Sequence, residues 1–332
     1  MGRAQMSDIA QLAGVSASTV SRALRNPEAV SDALRAKVNA AIEQTGYVPN
    51  RMAGGLAASR TRTVGVIVPS LINTFFAATV EAMADRLEPH GYQLMVGTSG
   101  YSPEREEALA TSFLSWLPSA MVLTGTHHAR GTLKRLVGLD IPIVEMWELG
   151  DNALDTTIGF SHRDVGREAA QHLFERGRRR IAFAGAAIDE DRRAWQRREG
   201  FLDAVRATQH QSPISHVIPQ RASVEAGAVV FRELLEMHPE IDGAFFSNDA
   251  LMLGAMFECQ RRGITVPQQI AMIGFGDLDY GAWSSPRLST IRPPRREIGL
   301  AVADHLLKRF NDSSAGGEVI DLGFQLVPRE SS

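Results

Sequence analysis

The sequence predicts an N-terminal all-α helix-turn-helix headpiece, followed by an α/β core of two doubly wound parallel-sheet subdomains. Two observations lead to this prediction. Residues 7–46 contain three short helical patterns with serine caps, and glycines follow the first and the third. From Thr63 onward, short apolar runs alternate with helical patterns in two successive series. We therefore expect a small helical bundle and a larger α/β body in one chain.

The first two helices are predicted from their caps and from the turn between them. Ser7 is expected to cap the first helix through its hydroxyl, with Ile9 and Leu12 on one face. Gly14 suits the sharp turn, because glycine tolerates a positive φ. Ser16 is expected to cap the second helix. This arrangement is typical of a helix-turn-helix unit.

The second helix has a polar face that can enter a major groove. Ala17 and Ser18 would meet base edges, and Arg22 would pair with a guanine or a phosphate. Neighbouring hydroxyls would bond phosphates, which position a protein without reading sequence. The alternative is a three-helix bundle with no role in DNA binding. The candidate DNA-contacting residues of the headpiece are Ser7, Ser16, Ala17, Ser18, Thr19, Ser21 and Arg22.

A third helix would complete the headpiece. Ser31 is expected to cap it and Gly46 to end it. Apolar residues spaced three and four apart form its core stripe, which comprises Leu34, Val38, Ala41 and Ile42.

Charge and composition limit the classes of function. Residues 1–60 hold seven Lys or Arg against four Asp or Glu, a net charge of +3. The whole chain has a net charge of −3, which leaves −6 for the rest. A basic head on an acidic body is expected if only the head meets phosphate. The only cysteine, Cys259, excludes disulfides within the chain and is expected to be a buried small hydrophobe. The polar N-terminus and the lack of a long apolar run predict a cytoplasmic protein with no membrane partner.

The body contains two series of strands and helices. Strands are predicted at 64–69, 92–97, 120–124 and 141–146, with helices at 75–90 and 103–116. The second series has helices at 164–176, 195–207, 223–237 and 249–262 and strands at 181–185, near 217, at 243–246 and at 270–275. Ligands of such sheets bind at the carboxyl ends of the strands.

Several spaced motifs resemble the lactose-repressor family of bacterial transcription factors. They are Ala13-Gly14-Val15-Ser16, Thr19-Val20-Ser21-Arg22, Gly46-Tyr47 and Pro49-Asn50-Arg51. The resemblance implies a homodimer that binds palindromic operator DNA and a core like that of periplasmic binding proteins. It also implies a hinge helix that forms on DNA, in which Leu56 wedges between base pairs. The hinge residues it assigns to DNA are Asn50, Arg51, Ala53 and Leu56.

The resemblance also divides the chain into domains. The headpiece would span 1–49 and the hinge 50–61. The N-terminal effector-binding subdomain would comprise 62–160 and 292–324, and the C-terminal one 161–291 and 325–332. Crossings between them are expected near residues 160, 291 and 325.

Residues that follow the strand ends are candidates for effector contacts. Arg197 matches the family's effector-binding arginine, and a guanidinium pairs bidentately with a carboxylate. Asn248 is expected to cap a helix and to contact ligand, whereas 189–193 are expected to be a solvated, charged helix start. His127 and His128 would border the pocket or solvent. The candidate effector-binding residues are Ser70, Asn73, Phe75, Tyr101, Thr124, Thr126, Glu145, Trp147, Arg197, Asn248 and Asp277.

Within the family the resemblance extends to gluconate-type repressors. It implies release from the operator by gluconate, a ketogluconate or a related sugar acid. Gly276 stands where many members have an aspartate, and the loss of a carboxylate would suit an anionic ligand. The alternative effector is a neutral sugar or a purine, which could act as co-repressor. The supporting stretches include Val68-Pro69-Ser70-Leu71, Leu114-Ser115-Trp116 and Phe257-Glu258-Cys259-Gln260-Arg261.

Two other classes of protein fit poorly. An enzyme is not expected, because the chain has no nucleophile elbow, no phosphate-binding loop and no metal-spaced His/Cys set. No catalytic residue, cofactor or metal is therefore predicted. A free sugar-binding protein for transport would need an export signal and no headpiece.

Overall fold

The computed structural model describes residues 4–48, 61–72, 74–150, 153–209, 212–312 and 316–332. The chain separates into two compact units, Met1–Thr61 and Arg62–Ser332. We describe each unit by itself. No helix among the described residues is long and apolar enough to cross a membrane.

The first unit contains a three-helix bundle. Its helices are α1 (Met6–Ala13), α2 (Ala17–Arg25) and α3 (Asp32–Thr45), with a 3-10 turn at Pro27–Ala29. The side chain of Ser16 caps α2 and that of Ser31 caps α3, as predicted. Gly14 and Gly46 end their helices in the left-handed conformation, also as predicted. Val20, Val38 and Ala41 lie in the bundle core, with Leu34 and Ile42 packed against it.

Two predictions for α1 were wrong. Ser7 does not cap the helix, because α1 begins at Met6 with Gln5 as its cap. The Asp8 carboxylate accepts a hydrogen bond from the backbone N–H of Gln5 (2.8 Å), so an acid three residues on performs the capping. Leu12 does not share the buried face of Ile9, since it is 52% exposed while Ile9 is fully buried.

The second unit contains two six-stranded sheets with helices around them. Its strands are β1 (Thr63–Val68), β2 (Gln93–Thr98), β3 (Ala120–Thr124), β4 (Ile143–Met146), β5 (Thr156–Gly159), β6 (Ile181–Ala186), β7 (Ile214–Ile218), β8 (Gly243–Phe246), β9 (Ala271–Phe275), β10 (Ser289–Arg292), β11 (Val319–Asp321) and β12 (Gln325–Val327). Its helices are α4 (Thr74–Leu87), α5 (Pro103–Leu114), α6 (Arg130–Leu136), α7 (His162–Glu175), α8 (Arg192–Gln209), α9 (Val224–Met237), α10 (Asp249–Arg262) and α11 (Arg295–Asn311).

Strand order confirms the doubly wound architecture. The N-terminal sheet has the order β11-β5-β4-β3-β1-β2, and every pair in it is parallel. The C-terminal sheet has the order β12-β10-β9-β8-β6-β7. It is parallel except at its edge, where β12 runs antiparallel to β10. The carboxyl ends of the parallel strands therefore lie together at one edge of each sheet.

The sheets are buried on both faces, as continuous apolar strands require. In β1, Val66 and Val68 pack into the large core on one face, whereas Ile67 packs with Phe113 and Met121 on the other. Helices therefore cover both sides of the N-terminal sheet. Cys259 is buried and unpaired, as expected, and burial raises the pKa of its thiol to about 12.

Several elements of the body were not predicted from the sequence. These are α6, α11 and the short strands β5, β10, β11 and β12. Helix α8 begins at Arg192, three residues before the predicted start. The chain crosses between the sheets at 160–161, 293–294 and 322–324, where β5, β10 and β11 end, close to the expected positions near 160, 291 and 325.

Candidate functional site

Helix α2 presents a polar face on the headpiece. Ser16, Ala17, Ser18 and Arg22 are exposed, and Thr19 and Ser21 are half-buried. The Ser16 hydroxyl shares hydrogen bonds with the hydroxyls of Ser18 and Thr19, both 2.8 Å long. Hydroxyl groups are among the side-chain groups that bond phosphate oxygens in protein–DNA interfaces. The predicted hinge contacts Asn50, Arg51, Ala53 and Leu56 lie outside the described residues.

A cavity of the body lies between the two sheets and has a volume of about 660 Å³. Both sheets contribute residues that follow strand carboxyl ends, such as Ser70 after β1 and Asn248 after β8. Six of the predicted effector residues line this cavity, namely Ser70, Phe75, Tyr101, Trp147, Arg197 and Asn248. Asn248 also caps α10, because its side chain accepts from the Leu251 N–H (3.1 Å).

Arg197 is a buried cation in this cavity. It is 4% exposed and has no carboxylate within salt-bridge distance among the described residues. Its Nη2 donates to the Ser247 carbonyl (3.0 Å), and its guanidinium carbon lies 4.1 Å from the centre of the Phe275 ring. Burial lowers the pKa of Arg197 to about 10, so it stays charged at neutral pH. Its Nε has no partner in the described part of the chain.

Close helix packing sets the position of Arg197. Helix α7 lies against α8 so tightly that a β-carbon on Gly166 would overlap the Arg197 carbonyl. Likewise, a β-carbon on Gly200 would overlap the Arg163 carbonyl. These two glycines permit the backbone contact that holds Arg197 rigidly beneath the cavity.

A hydrogen-bonded chain through His162 connects the two subdomains. His162 Nε2 donates to the Trp147 carbonyl (2.8 Å), so its Nδ1 is the acceptor for Arg197 Nη1 (2.9 Å). Trp147 follows β4, whereas His162 and Arg197 belong to the other subdomain. Burial and the nearby arginines hold the pKa of His162 well below its usual value. The imidazole is therefore neutral, as its acceptor role requires.

A second arginine of α8 also lines the cavity. Arg193 is 8% exposed and lies over the Phe76 ring, 5.7 Å from its centre. Its Nη2 lies 3.4 Å from the Asp191 carboxylate. In the segment 189–193, which was expected to be solvated, Asp189, Glu190 and Arg192 are exposed, Asp191 is half-buried and Arg193 is buried. Glu190, Asp191 and Arg193 line the cavity.

Aromatic rings form the opposite wall. Trp147 packs edge-on against Phe76 with ring centres 4.9 Å apart, and Phe75 lies 6.5 Å from Trp147. The Trp147 indole N–H donates to the Thr79 hydroxyl (3.1 Å), which in turn donates to the Arg295 carbonyl (2.7 Å). This wall therefore offers a flat apolar surface. The indole N–H of Trp147 already has a hydrogen-bond acceptor in Thr79.

Unusual backbone conformations cluster at the same place. Tyr101, Trp147 and Ala187 have φ values of 65°, 70° and 44°, and each lines the cavity. Asp277, two residues after the lining residue Phe275, has φ 51°. Such conformations each cost about 1–3 kcal/mol for non-glycine residues and concentrate at ligand sites.

Four predicted effector residues lie elsewhere. The buried Thr124 hydroxyl donates to the Ile67 carbonyl (3.1 Å), inside the sheet. The Thr126 N–H donates to the buried Glu148 carboxylate (3.3 Å), and Thr126 does not line the cavity. Glu145 and Asp277 are bound to other groups, as described next. Asn73 lies outside the described residues.

Glu145 belongs to a buried charged cluster behind the N-terminal sheet. Its carboxylate lies 3.2 Å from His128 Nε2 and accepts from the Leu154 N–H (2.6 Å). His128 Nδ1 lies 2.8 Å from Glu106, and its side chain is fully buried, contrary to the expected border position. Burial lowers the pKa of His128, but the two carboxylates outweigh this effect and raise it to about 9.

Asp277 is held by three arginines. Arg329 and Arg292 pair with its carboxylate, and Arg295 donates to its carbonyl (3.2 Å). Burial raises the pKa of Asp277, but these ion pairs outweigh that effect and bring it below its usual value. The carboxylate thus stabilises the crossing between subdomains and is unavailable to a cavity ligand.

The presence of a glycine at position 276, where many family members have an aspartate, has a steric explanation. Its φ is +134°, and a β-carbon there would overlap the Phe75 ring. The space that an aspartate side chain would occupy is thus filled by a ring of the aromatic wall. Among the described residues, no group of three or more His, Cys, Asp or Glu side chains could hold a metal ion.

Comparisons with known proteins identify the family. Residues 5–50 match the bacterial regulatory proteins of the lacI family, and residues 170–332 match a periplasmic binding protein-like domain. The chain is 39% identical to the HTH-type transcriptional regulator GntR of Pseudomonas aeruginosa PAO1, over 100% of this chain and 96% of that protein. The chain belongs to the LacI family. It is therefore a DNA-binding transcriptional regulator.

Two further similarities agree with this assignment. This LacI-family regulator is 38% identical to the HTH-type transcriptional regulator GntR of Escherichia coli K12, over 98% of each protein. A crystal structure of a LacI-family transcriptional regulator from Silicibacter pomeroyi matches it with a TM-score of 0.92 and 34% identity, over 99% of both chains. These relatives are named as regulators, which agrees with the expectation that the chain is not an enzyme.

Proposed function

We propose that this regulator represses genes of sugar-acid catabolism and leaves a palindromic operator when a sugar acid such as gluconate or a ketogluconate binds in the cavity. One observation carries the proposal: Arg197 is a buried, charged guanidinium without a carboxylate partner among the described residues. A carboxylate on the ligand would supply that partner through two parallel hydrogen bonds.

The net charge of the cavity supports an anionic ligand. Arg105, Arg193, Arg197 and Arg221 line it, against only Glu190 and Asp191, so the lining has a net charge of +2. Burying a carboxylate is costly unless a cation meets it, and the cavity provides that cation in advance. A neutral sugar or a purine would leave the charge of Arg197 uncompensated.

The remaining lining fits the rest of a sugar acid. Ser70, Tyr101, Asn248 and Asp191 offer hydroxyl, amide and carboxylate groups that can bond sugar hydroxyls. The rings of Phe75 and Trp147 offer apolar surface for the C–H faces of the carbon chain. The similarity to two regulators named GntR supports the same class of ligand.

We place DNA binding on α2 and on the hinge predicted at 50–61. In a homodimer, two α2 helices would enter successive major grooves, and the Leu56 side chains would wedge at the operator centre. Sugar-acid binding would weaken operator binding only as much as the operator weakens sugar-acid binding. The protein would act in the cytoplasm, where its DNA is.

The test is a gel shift with the DNA upstream of the protein's own gene, titrated with gluconate and 2-ketogluconate. We expect either acid to release the DNA from the wild-type chain. Arg197→Gln should still bind the operator, but neither acid should release it. The affinity for the acids should fall about 100-fold, because a buried charge-assisted pair is removed.

Arg206→Gln is the matched control. Arg206 lies on the same helix, is 52% exposed, and pairs with Asp203 at the surface. It should behave like the wild type. Release by neutral glucose or by a purine, with no response to either acid, would contradict the proposed effector class.

A further inference from the structure

Three side chains come together where the chain enters the body. The first unit ends at Thr61 and the second begins at Arg62, one residue before β1. The ring of Tyr92, which precedes β2, lies beside the Arg62 guanidinium, and the ring of Phe310, near the end of α11, lies beside that of Tyr92. We call Arg62, Tyr92 and Phe310 the entry cluster. None of the three lines the cavity.

Arg62 is held by both its main chain and its side chain. Its carbonyl accepts from the Gln93 N–H (2.9 Å), and its Nη1 donates to the His90 carbonyl (3.2 Å). Its guanidinium carbon lies over the Tyr92 ring, 5.9 Å from the ring centre. Gly91 has φ +77°, and a β-carbon on it would lie 2.8 Å from Arg62 Nη1, so only a glycine leaves room for the guanidinium. An exposed arginine is therefore fixed to the turn that precedes β2.

The two rings of the entry cluster are stacked. Their centres lie 4.4 Å apart, and their planes differ by 18°. Both side chains are half-buried and pack against the large core from its surface. The Tyr92 N–H donates to the Leu87 carbonyl at the end of α4 (3.3 Å). Tyr92 is thus held by its backbone and by the Phe310 ring, and Arg62 lies against a ring that has little freedom to move.

Helix α11 gives the entry cluster a stiff support. Its 17 residues span about 25 Å. Near its start, a β-carbon on Gly299 would overlap the Thr79 carbonyl, so the backbones of α11 and α4 are in contact. Near its end, Arg309 Nη1 pairs with the Asp155 carboxylate (2.9 Å), and both side chains are largely buried. Phe310 therefore lies on a helix that is fixed at both ends.

We propose that Arg62, Tyr92 and Phe310 are positioning residues for operator binding, because they fix the point at which the chain leaves the body for the headpiece. This inference rests on the proposed mode of DNA binding, in which the hinge predicted at 50–61 folds on the operator. It concerns residues that are assigned neither to DNA nor to the sugar acid.

The physical reason is preorganisation. A segment that folds on DNA loses conformational freedom, and this cost is subtracted from the operator affinity. A body end that is already fixed has less freedom to lose, so more of the contact energy appears as affinity. Without the stacked rings, the Arg62 side chain loses the surface on which it lies, and the start of β1 becomes freer. That added freedom has to be removed each time the hinge folds.

A purely structural role predicts a different pattern. Loss of folded protein would weaken every kind of binding equally, whereas a positioning role affects only the step that needs the folded hinge. Nonspecific DNA binding depends mainly on phosphate charge and, in this proposal, does not need that step. Tyr92 and Phe310 are uncharged at neutral pH, since burial raises the pKa of the Tyr92 phenol. Replacing either ring therefore removes no cation that could contact phosphate.

Fluorescence anisotropy without sugar acid compares the DNA upstream of the protein's own gene with a scrambled duplex of equal length. We expect Tyr92→Ala and Phe310→Ala each to weaken binding of the upstream DNA about tenfold, which equals about 1.4 kcal/mol and lies within the cost of ordering one residue. Binding of the scrambled duplex should change less than about twofold, because its phosphate contacts are kept. Tyr92→Phe, which keeps the ring, should bind like the wild type.

Two further variants test whether the rings act together and at this place. The double variant of Tyr92→Ala and Phe310→Ala should lose no more than either single variant, because one stack is broken in all three. Phe174→Ala is the matched control, since Phe174 is also half-buried and packs on the same core but belongs to α7. It should leave the affinity for the upstream DNA unchanged. Gluconate affinity, measured by calorimetry, should be unchanged in all these variants.

The outcomes separate the two proposals. Unchanged binding of the upstream DNA by Tyr92→Ala and Phe310→Ala would overturn the role of the entry cluster and leave the sugar-acid effector standing. Equal losses on both duplexes, or an equal loss in Phe174→Ala, would also overturn it, because the change would then reflect a general loss of folded protein. If gluconate does not bind the wild-type chain, the proposed effector fails, while the anisotropy measurements still decide the role of the entry cluster.

Discussion

The two subdomains share one architecture but contribute opposite chemistry to the cavity. The N-terminal subdomain provides four of the five Phe, Tyr and Trp rings that line it, namely Phe75, Phe76, Tyr101 and Trp147. The C-terminal subdomain provides five of the six charged lining residues, namely Glu190, Asp191, Arg193, Arg197 and Arg221.

The N-terminal subdomain has further charged groups that do not line the cavity. His128 lies between Glu106 and Glu145 behind its sheet. The difference indicates that the N-terminal subdomain contributes most of the aromatic surface of the cavity and the C-terminal subdomain most of its charged groups. Both halves must meet for a ligand to be held, which makes ligand binding sensitive to their closure.

The largest effect is expected where the two halves are joined. His162→Leu removes the acceptor of Arg197 Nη1 and the donor to the Trp147 carbonyl. We expect sugar-acid affinity to fall about 100-fold, because a buried guanidinium loses a bond and its orientation. Calorimetry measures the affinity. His162→Gln, which retains one donor and one acceptor, should recover part of it; equal losses in both variants would show that His162 only fills space.

A smaller effect is expected from a carboxylate in the aromatic wall. Gly276→Asp would displace the Phe75 ring and place a negative charge near the ligand. We expect sugar-acid affinity to fall about tenfold, with about 1–3 kcal/mol less stability from the overlap. Gly276→Ala has the overlap without the charge, so the difference between the two variants measures repulsion. If both bind equally, charge at this position is irrelevant.

The aromatic wall should respond weakly to the loss of one polar contact. Trp147→Phe keeps a ring but removes the N–H that donates to Thr79. The net worth of such a bond is about 1 kcal/mol, so we expect a loss of about fivefold in sugar-acid affinity. Thr79→Val removes the same bond from the other side and should give a similar loss. Non-additive losses in the double variant would confirm that the two groups act together.

The charged cluster behind the N-terminal sheet should affect stability alone. The pKa of His128 is raised to about 9, so the cluster contributes stability that is complete below pH 6.5 and is lost as the pH rises through 9. We expect the unfolding free energy contributed by this group to fall by about 1.4 kcal/mol per pH unit in that window. His128→Gln should remove this slope while sugar-acid affinity changes less than about twofold. Urea unfolding at pH 6.5, 8 and 9 measures it; an unchanged slope would contradict the assignment.

Much of the fold could be predicted from local signals. The serine caps of α2 and α3 and the apolar run of β1 are properties of consecutive residues. Strand β5, with the sequence Thr-Thr-Ile-Gly, has too few apolar residues to stand out, although it is fully buried in the sheet. Helix α11 carries an apolar stripe at Ile298, Val302 and Leu306, so its helical period is present in the sequence.

The site was harder to predict, for a reason visible at the end of β4. Strand alternation places Glu145 and Trp147 on one face, and both were expected in the cavity. Trp147 has φ 70°, which ends the strand and turns its side chain to the face of α4, where Thr79 receives it. Glu145 points to the other face, towards α5. The left-handed conformation of Trp147 therefore explains why Glu145 does not line the cavity although Trp147 does. The pattern of polar and apolar residues in the sequence does not predict such a conformation.

The left-handed residues around the cavity have a consequence for how its specificity can evolve. The shape of the cavity depends on the main-chain path at Tyr101, Trp147 and Ala187, where β-branched replacements are disfavoured. Selection for a new ligand would therefore act first on residues in ordinary conformations, such as Ser70, Arg105 and Arg221. A few side-chain replacements could therefore change which ligand the cavity binds, while the main-chain path around the cavity stays the same.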